Sequence, residues 1–291
     1  MDTDAQTRRE LRFACTSCGA CCNRSPEVAL SEAAALSDMF VFRLMFRLYE
    51  LPRSLADGDA GSSAVFFESK RLLAAFAARK YPARRRQNGK AIDYMRYLTI
   101  SALTLDTGVG ACTALSDGRC AIYARRPLAC RTVPFHYSRP EASAESLLQS
   151  FVATPGYGCD TGADAPVVLE AGRIVDPETR RARGDALDIA ARDRRWTDAI
   201  LRRMKTSSSE YALPSLREIE ADAQFGATTT SMQVAWRIAA EAGLIGVETY
   251  RMLIAAQAAA IDRELAEARC PSSARETLGE MRAEYRALLN G

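Results

Sequence analysis

Apolar positions first fall into a periodic pattern just after residue 30. There Ser31 and Glu32, followed by Ala33, Ala34 and Ala35, predict the start of a helix running to about Leu51. Pro52 to Ser63, with Asp57-Gly58 and Gly61, reads as a loop. A second amphipathic helix is predicted over Val65 to Lys80, stopping at Pro82, after which Arg84 to Lys90 form a basic turn. Tyr94 to Leu105 is rich in aromatic and β-branched residues and predicts a strand, as does Gln149 to Ala153. Val167 to Val175 has the pattern of a hairpin turning at Ala171-Gly172. From Pro177 onward the pattern is helical, with helices expected near 178–204, 214–224, 230–242, 247–269 and 273–289. Ser273, three residues before Glu276, has capping-box spacing for the last of them. The fold class this predicts is α+β and predominantly helical. Residues 1–176 would form an irregular cysteine-rich domain with a few short strands, and residues 177–291 a helical C-terminal region.

Composition changes that picture in one respect. With 48% of 291 residues apolar, a buried core needs no disulfide support. The net charge of +3 is the small difference between 39 basic and 36 acidic residues, which argues against a general polyanion partner. Lys70, Lys80, Lys90 and Lys205 are the only lysines, so the basic pool is almost all arginine. A GC-rich genome accounts for that bias together with the abundant alanine; guanidinium forks for phosphate or carboxylate are the sharper alternative. Arg84 to Arg86, and Arg180, Arg181 and Arg183, read as solvated faces. Without interleaved aromatics or a large basic excess they predict no nucleic-acid partner. Residues 1–10 lack an apolar signal region, and the Met39–Leu51 stretch is broken by Arg43 and Arg47, so neither secretion nor a membrane span is expected. A cytoplasmic location follows as the expectation. Nine cysteines in a reducing compartment then point to metal or redox chemistry rather than to disulfides.

Eight of the nine lie between residues 15 and 159. The run Cys15-x-x-Cys18-x-x-Cys21-Cys22 uses two-residue gaps that let a short loop wrap a centre with converging thiolates, and Gly19 can supply a positive φ for that wrap. Neighbouring side chains of an extended backbone point apart, so Cys21 and Cys22 are suited to two different metals. The remote partners are Cys112, Cys120, Cys130 and Cys159, and all eight are candidate ligands. Thiolate-only ligation suits zinc and iron–sulfur clusters alike: three cysteines in one run favour a cluster, while two four-thiolate zinc sites would use all eight. Arg125, Arg126 and Arg131 are placed to offset the negative charge of such a centre, and His136, the only histidine, lies close to Cys130 in sequence. A structural role for His136 is the plainer reading. A lone histidine excludes any centre that needs two imidazoles. Cys270, before Pro271 in the helical remainder, reads as an ordinary thiol.

CxxCxxCC, then Cys112-x7-Cys120, then Ile122-Tyr123-x-x-Arg126-Pro127-x-x-Cys130-Arg131-x-x-Pro134 resembles the YkgJ-like cysteine-cluster family, described as zinc- or iron-chelating. The resemblance covers roughly residues 13 to 160 and implies metal chelation without assigning a reaction. The cysteine-rich region of flagellin lysine N-methylases is similar at a greater distance. That kinship implies an iron–sulfur cluster and S-adenosylmethionine-dependent methyl transfer as an alternative. Asp106-x-Gly108-x-Gly110 superficially matches a loop that holds S-adenosylmethionine, but no acid follows at the Rossmann distance, so a turn into the metal site fits better. Three classes follow: a thiolate metal-binding protein, possessing or lacking an enzymatic activity; a methyl-transfer enzyme; and a structural-zinc protein whose C-terminal helices bind a protein or peptide partner.

Overall fold

The computed structural model describes residues 9–22, 26–53, 64–105, 111–206, 209–223, 226–267 and 270–290. Of the loop expected over Pro52 to Ser63, residues 54–63 lie outside these residues, as does the Asp106–Gly110 motif.

The frame is an antiparallel sheet. β3 (Phe42–Pro52) pairs along its length with β5 (Lys90–Thr104), whose other edge takes β2 (Glu27–Val28) at one end and β4 (Arg79–Gln87) at the other. β10 (Thr228–Ser231) adds to the free edge of β3. The strand expected over Tyr94 to Leu105 is therefore present and longer. The helix expected from Ser31 to Leu51 is corrected: α1 spans only Leu30–Ala35 and the chain then becomes β3. From Phe42 one face of the strand is buried at Phe42, Leu44, Phe46 and Leu48, while on the other Arg43, Arg47 and Tyr49 are half-buried and only Met45 is fully buried. Pairing with β5 outweighs the helix propensity of Leu, Met, Arg and Glu. Likewise α2 (Ala64–Phe76) ends short of Lys80, and the basic segment Arg84 to Arg86 belongs to β4, with the turn confined to Asn88-Gly89. Pro82 is tolerated because β4 is an edge strand.

The short β6 (Leu115–Ser116) and β7 (Arg119–Cys120) form a hairpin, and α3 (Leu128–Arg131) follows. Gln149 to Ala153, expected as a strand, instead lies in and just after α4 (Ala144–Val152), whose Leu148, Phe151 and Val152 keep helical spacing against a small core. β1 (Glu10–Arg12), β8 (Val167–Glu170) and β9 (Arg173–Ile174) make a second sheet. Its hairpin turns at Ala171-Gly172, both with positive φ, as the sequence predicts. The remaining helices are α5 (Pro177–Thr206), α6 (Leu216–Asp222), α7 (Met232–Glu241), α8 (Val247–Ala266) and α9 (Ser272–Asn290), close to the expected positions. The architecture is mixed α+β. None of the described helices is long and apolar enough to cross a membrane.

Two cores matter for the site. The larger joins the Phe42–Leu48 face of the sheet to α7, α8 and α9 through Trp236, Ile254, Ile261 and Tyr285. The smaller joins Phe13, Phe135, Leu148, Val168, Leu169 and Ile174. β10 completes the sheet from within the region C-terminal to residue 177, and α5 packs on α1, α2, α3 and α7. In the larger core Gln257 is fully buried: its Oε1 accepts from Phe42 N at 2.9 Å, and its Nε2 donates to Ser37 O (2.8 Å) and Phe40 O (2.6 Å).

Candidate metal centre

Three backbone arrangements bring the cysteines together. Ala14 and Asp160 form a two-way bridge, with N to O distances of 2.8 and 3.1 Å, so Cys15 and Cys159 emerge side by side. Thr16 Oγ1 donates to Gly158 O at 2.7 Å and holds the same two segments together one residue further on. Next, Cys22 N bonds to Gly19 O and Cys112 N to Cys22 O, which lays the β6–β7 hairpin against the cysteine run. Gly19 has φ +73°, and a β-carbon there would lie 2.5 Å from Gly118 O, so only glycine lets the two loops touch. Finally, Cys130 sits on α3, whose first residue, Leu128, donates its N–H to Glu32 Oε1 at 2.8 Å.

The result is a single cavity of about 110 Å³ lined by all eight cysteines from Cys15 to Cys159. Phe13, Phe40, Tyr123, Phe151 and Tyr157 supply much of its apolar wall. Cys15 and Cys18 are exposed, and the other six are half-buried. Cys159 packs against the smaller core, Cys112 and Cys120 against the larger. Among the described residues, no three Cys, His, Asp or Glu side chains already stand in a geometry that would hold one ion; they converge at the level of the shared cavity. The donor set fits thiolate-bound zinc or an iron–sulfur cluster in its chemistry, soft sulfur with no competing carboxylate or imidazole in the lining.

The charges have a pattern. The adjacent Cys22 thiol lowers Cys21 to about 6, and Cys21, with burial, raises Cys22. Burial pushes Cys130 up to about 12, with Cys112 and Cys120 adding like-charge repulsion. Cys159 is raised by burial and then by Cys21, Cys18 and Cys15. Cys18 is lowered by the Ala20 and Gly158 backbone and the Thr16 hydroxyl. Crowded thiols resist ionising together, and a bound cation removes that resistance.

The other expected residues go to different places. Arg126 lines the cavity, stacks on the Tyr123 ring at 3.8 Å and lowers both Cys21 and Cys130 by its charge. Arg125 turns away to Ala35 O and Asp38, and Arg131 lies 3.9 Å from Asp185. His136 lines a larger neighbouring chamber, its Nδ1 2.8 Å from Ser138 Oγ and its ring stacked on Tyr137. Cys270 is buried in the larger core, away from the cavity.

Glu32 has a role at the site that sequence reasoning missed. In the sequence Glu32 marks only a helix start, and no local signal announces a carboxylate capping a helix about 100 residues away. Its two oxygens accept from Leu128 N and Ala29 N (3.3 Å), so it ties the start of the Cys130 helix to the start of α1. Glu32→Ala is expected to cost about 2–3 kcal/mol by orphaning a partly buried N–H and its charge-assisted bond, and to raise the alkylation rate of Cys130. Unchanged urea stability and unchanged labelling by mass spectrometry would refute this role.

Residues 14–154 match the model of the CxxCxxCC family, described as "Putative zinc- or iron-chelating domain". Cys159 lies just past the matched span. The match carries metal chelation; it carries neither methyl transfer nor partner binding. No curated protein and no solved structure matches the chain. The four-cysteine opening, the remote thiols gathered on one cavity and the model match agree: over residues 14–154 the chain is similar to the CxxCxxCC family.

Proposed function

We propose that this chain is a metal-binding protein with two thiolate centres, one formed by Cys15, Cys18, Cys21 and Cys159 and the other by Cys22, Cys112, Cys120 and Cys130. The supporting observation is the neighbourhood of each thiol. Cys159 has Cys21, Cys18 and Cys15 as charge neighbours, whereas Cys22 and Cys130 share Cys112, and Cys130 also has Cys120. The vicinal pair divides between the groups, with Cys21 in contact with both. Four thiolates per group suit two zinc ions or two iron–sulfur clusters. The occupant brings Lewis acidity or electron transfer respectively; the chain's own part is to supply thiolates, with Arg126 offsetting charge at Cys21 and Cys130.

Protein purified without oxygen decides the occupant, through an ultraviolet–visible spectrum with iron, zinc and sulfide analysis. About two zinc ions in a colourless sample, or broad visible absorbance with matched iron and sulfide, is the expected result. Less than one metal equivalent per chain after metal reconstitution would overturn the assignment.

A further inference from the structure

The second face of the large sheet is roofed over but not filled. Between it and α2, α5 and the 128–140 segment lies a chamber of about 780 Å³, a size suited to a small organic ligand. Cys21 and Cys130 stand in its wall as well as in the cysteine cavity, so the two spaces share a partition.

The chamber's acids are already engaged. Glu27 accepts from Ser101 Oγ at 2.8 Å and from Arg47 Nη1 at 2.9 Å, one bond to each oxygen. Both oxygens of Glu32 accept backbone N–H bonds. Asp193 accepts from Ser31 N at 3.1 Å through Oδ2; its Oδ1 has no hydrogen-bond partner among the described residues but is sealed from solvent, so it offers the chamber no acceptor. The donors are in a different state. Arg47 Nη1 serves Glu27 and Tyr49, but the nearest partner of its Nη2 is the Met45 sulfur at 3.5 Å, a weak acceptor. The Nε–Nη2 edge of this guanidinium therefore meets no oxygen among the described residues. Neither does the hydroxyl of Tyr137, whose neighbours include Glu27, Tyr49 and Cys130. Exposed Arg139 and Arg194 add two further cations to the lining. Open donors without open acceptors call for a ligand that brings the acceptors.

We propose that the chamber binds a small organic carboxylate with an apolar body. The carboxylate lies on the Nε–Nη2 edge of Arg47, a fork that matches two carboxylate oxygens, with Tyr137 donating as well. The body lies among Leu72, Phe76, Val133 and Phe151, which points it at the Cys21–Cys130 partition. A phosphate monoester brings a second negative charge into a chamber that already holds three acids, so the carboxylate is the better match.

Isothermal titration of the protein as purified, at matched ionic strength, tests this with phenylacetate, hexanoate, phenylacetamide, benzyl phosphate and benzylammonium. One equivalent of phenylacetate or hexanoate should saturate the chain, with phenylacetamide weaker by about tenfold or more. Tyr137→Phe, which removes only a hydroxyl, should weaken the carboxylate about threefold to tenfold, and Arg47→Lys about tenfold or more. The proposal fails if neither carboxylate saturates, if the amide binds as well as the acid, if both variants bind like the parent, or if benzyl phosphate or benzylammonium binds more tightly. Metal analysis of the same samples keeps this separate from the thiolate reading. A metal-free chain that still binds phenylacetate would sink that reading and leave the chamber assignment standing.

Discussion

Serine in place of Cys130 is expected to halve the metal content of the purified protein and to lower its melting temperature by on the order of 10 °C. Burial is the first cause of the raised pKa of Cys130, and a serine there leaves its group with three thiols. Structural zinc in a small peptide is worth on the order of 10–16 kcal/mol. Recovering only a few kcal/mol of that here, at roughly 2–4 °C per kcal/mol for a chain of this size, gives the predicted shift. Cys159→Ser should remove the other half, because it belongs to the group that includes Cys15 and Cys18. The double variant should hold almost none. Elemental analysis with calorimetry checks all three, and a double variant that loses no more metal than either single one would mean one shared centre.

The second large effect lies away from the cysteines. Gln257→Leu should destabilise the fold by roughly 3–6 kcal/mol, since it strands the Phe42 N–H and the Ser37 and Phe40 carbonyls in the buried core. This amide ties α8 to the bend between α1 and β3, so it holds the first strand of the large sheet against the C-terminal helices. Glutamate there would keep the Phe42 bond but present an acceptor to two carbonyls, and should be no better tolerated. Urea titration followed by circular dichroism measures the change; a loss below about 1 kcal/mol would show that the backbone groups find other partners.

Much of the fold could be read from local pattern. The long C-terminal helices keep helical spacing over many turns, and Ala171-Gly172 carries the positive φ angles its hairpin needs. Phe42 to Leu48 could not be read this way, because its residues have helix propensity and only the partner strand makes them extended. Thr230 and Ser231, inside the helix expected near 230–242, are strand for a similar reason: the place of β10 is set by β3, more than 180 residues earlier in the chain. Cysteine spacing made the metal chemistry legible. What gathers the thiols did not show, since the Ala14–Asp160 bridge, the Gly19–Gly118 contact and the Glu32–Leu128 bond each join distant segments. The chamber is hidden for the same reason, its lining coming from strands and helices scattered between residues 21 and 197.

The cysteine cavity sits where the two cores meet, with Cys159 leaning on the smaller and Cys112 and Cys120 on the larger. Ions held there would act as rivets. With them in place the β1–β8–β9 sheet and its core open only together with the main sheet. Without them the small core becomes the cheapest local opening, and its amides are the first to exchange with solvent. Metal supply would then set more than occupancy: it would decide whether the chain unfolds as one cooperative body or in two stages.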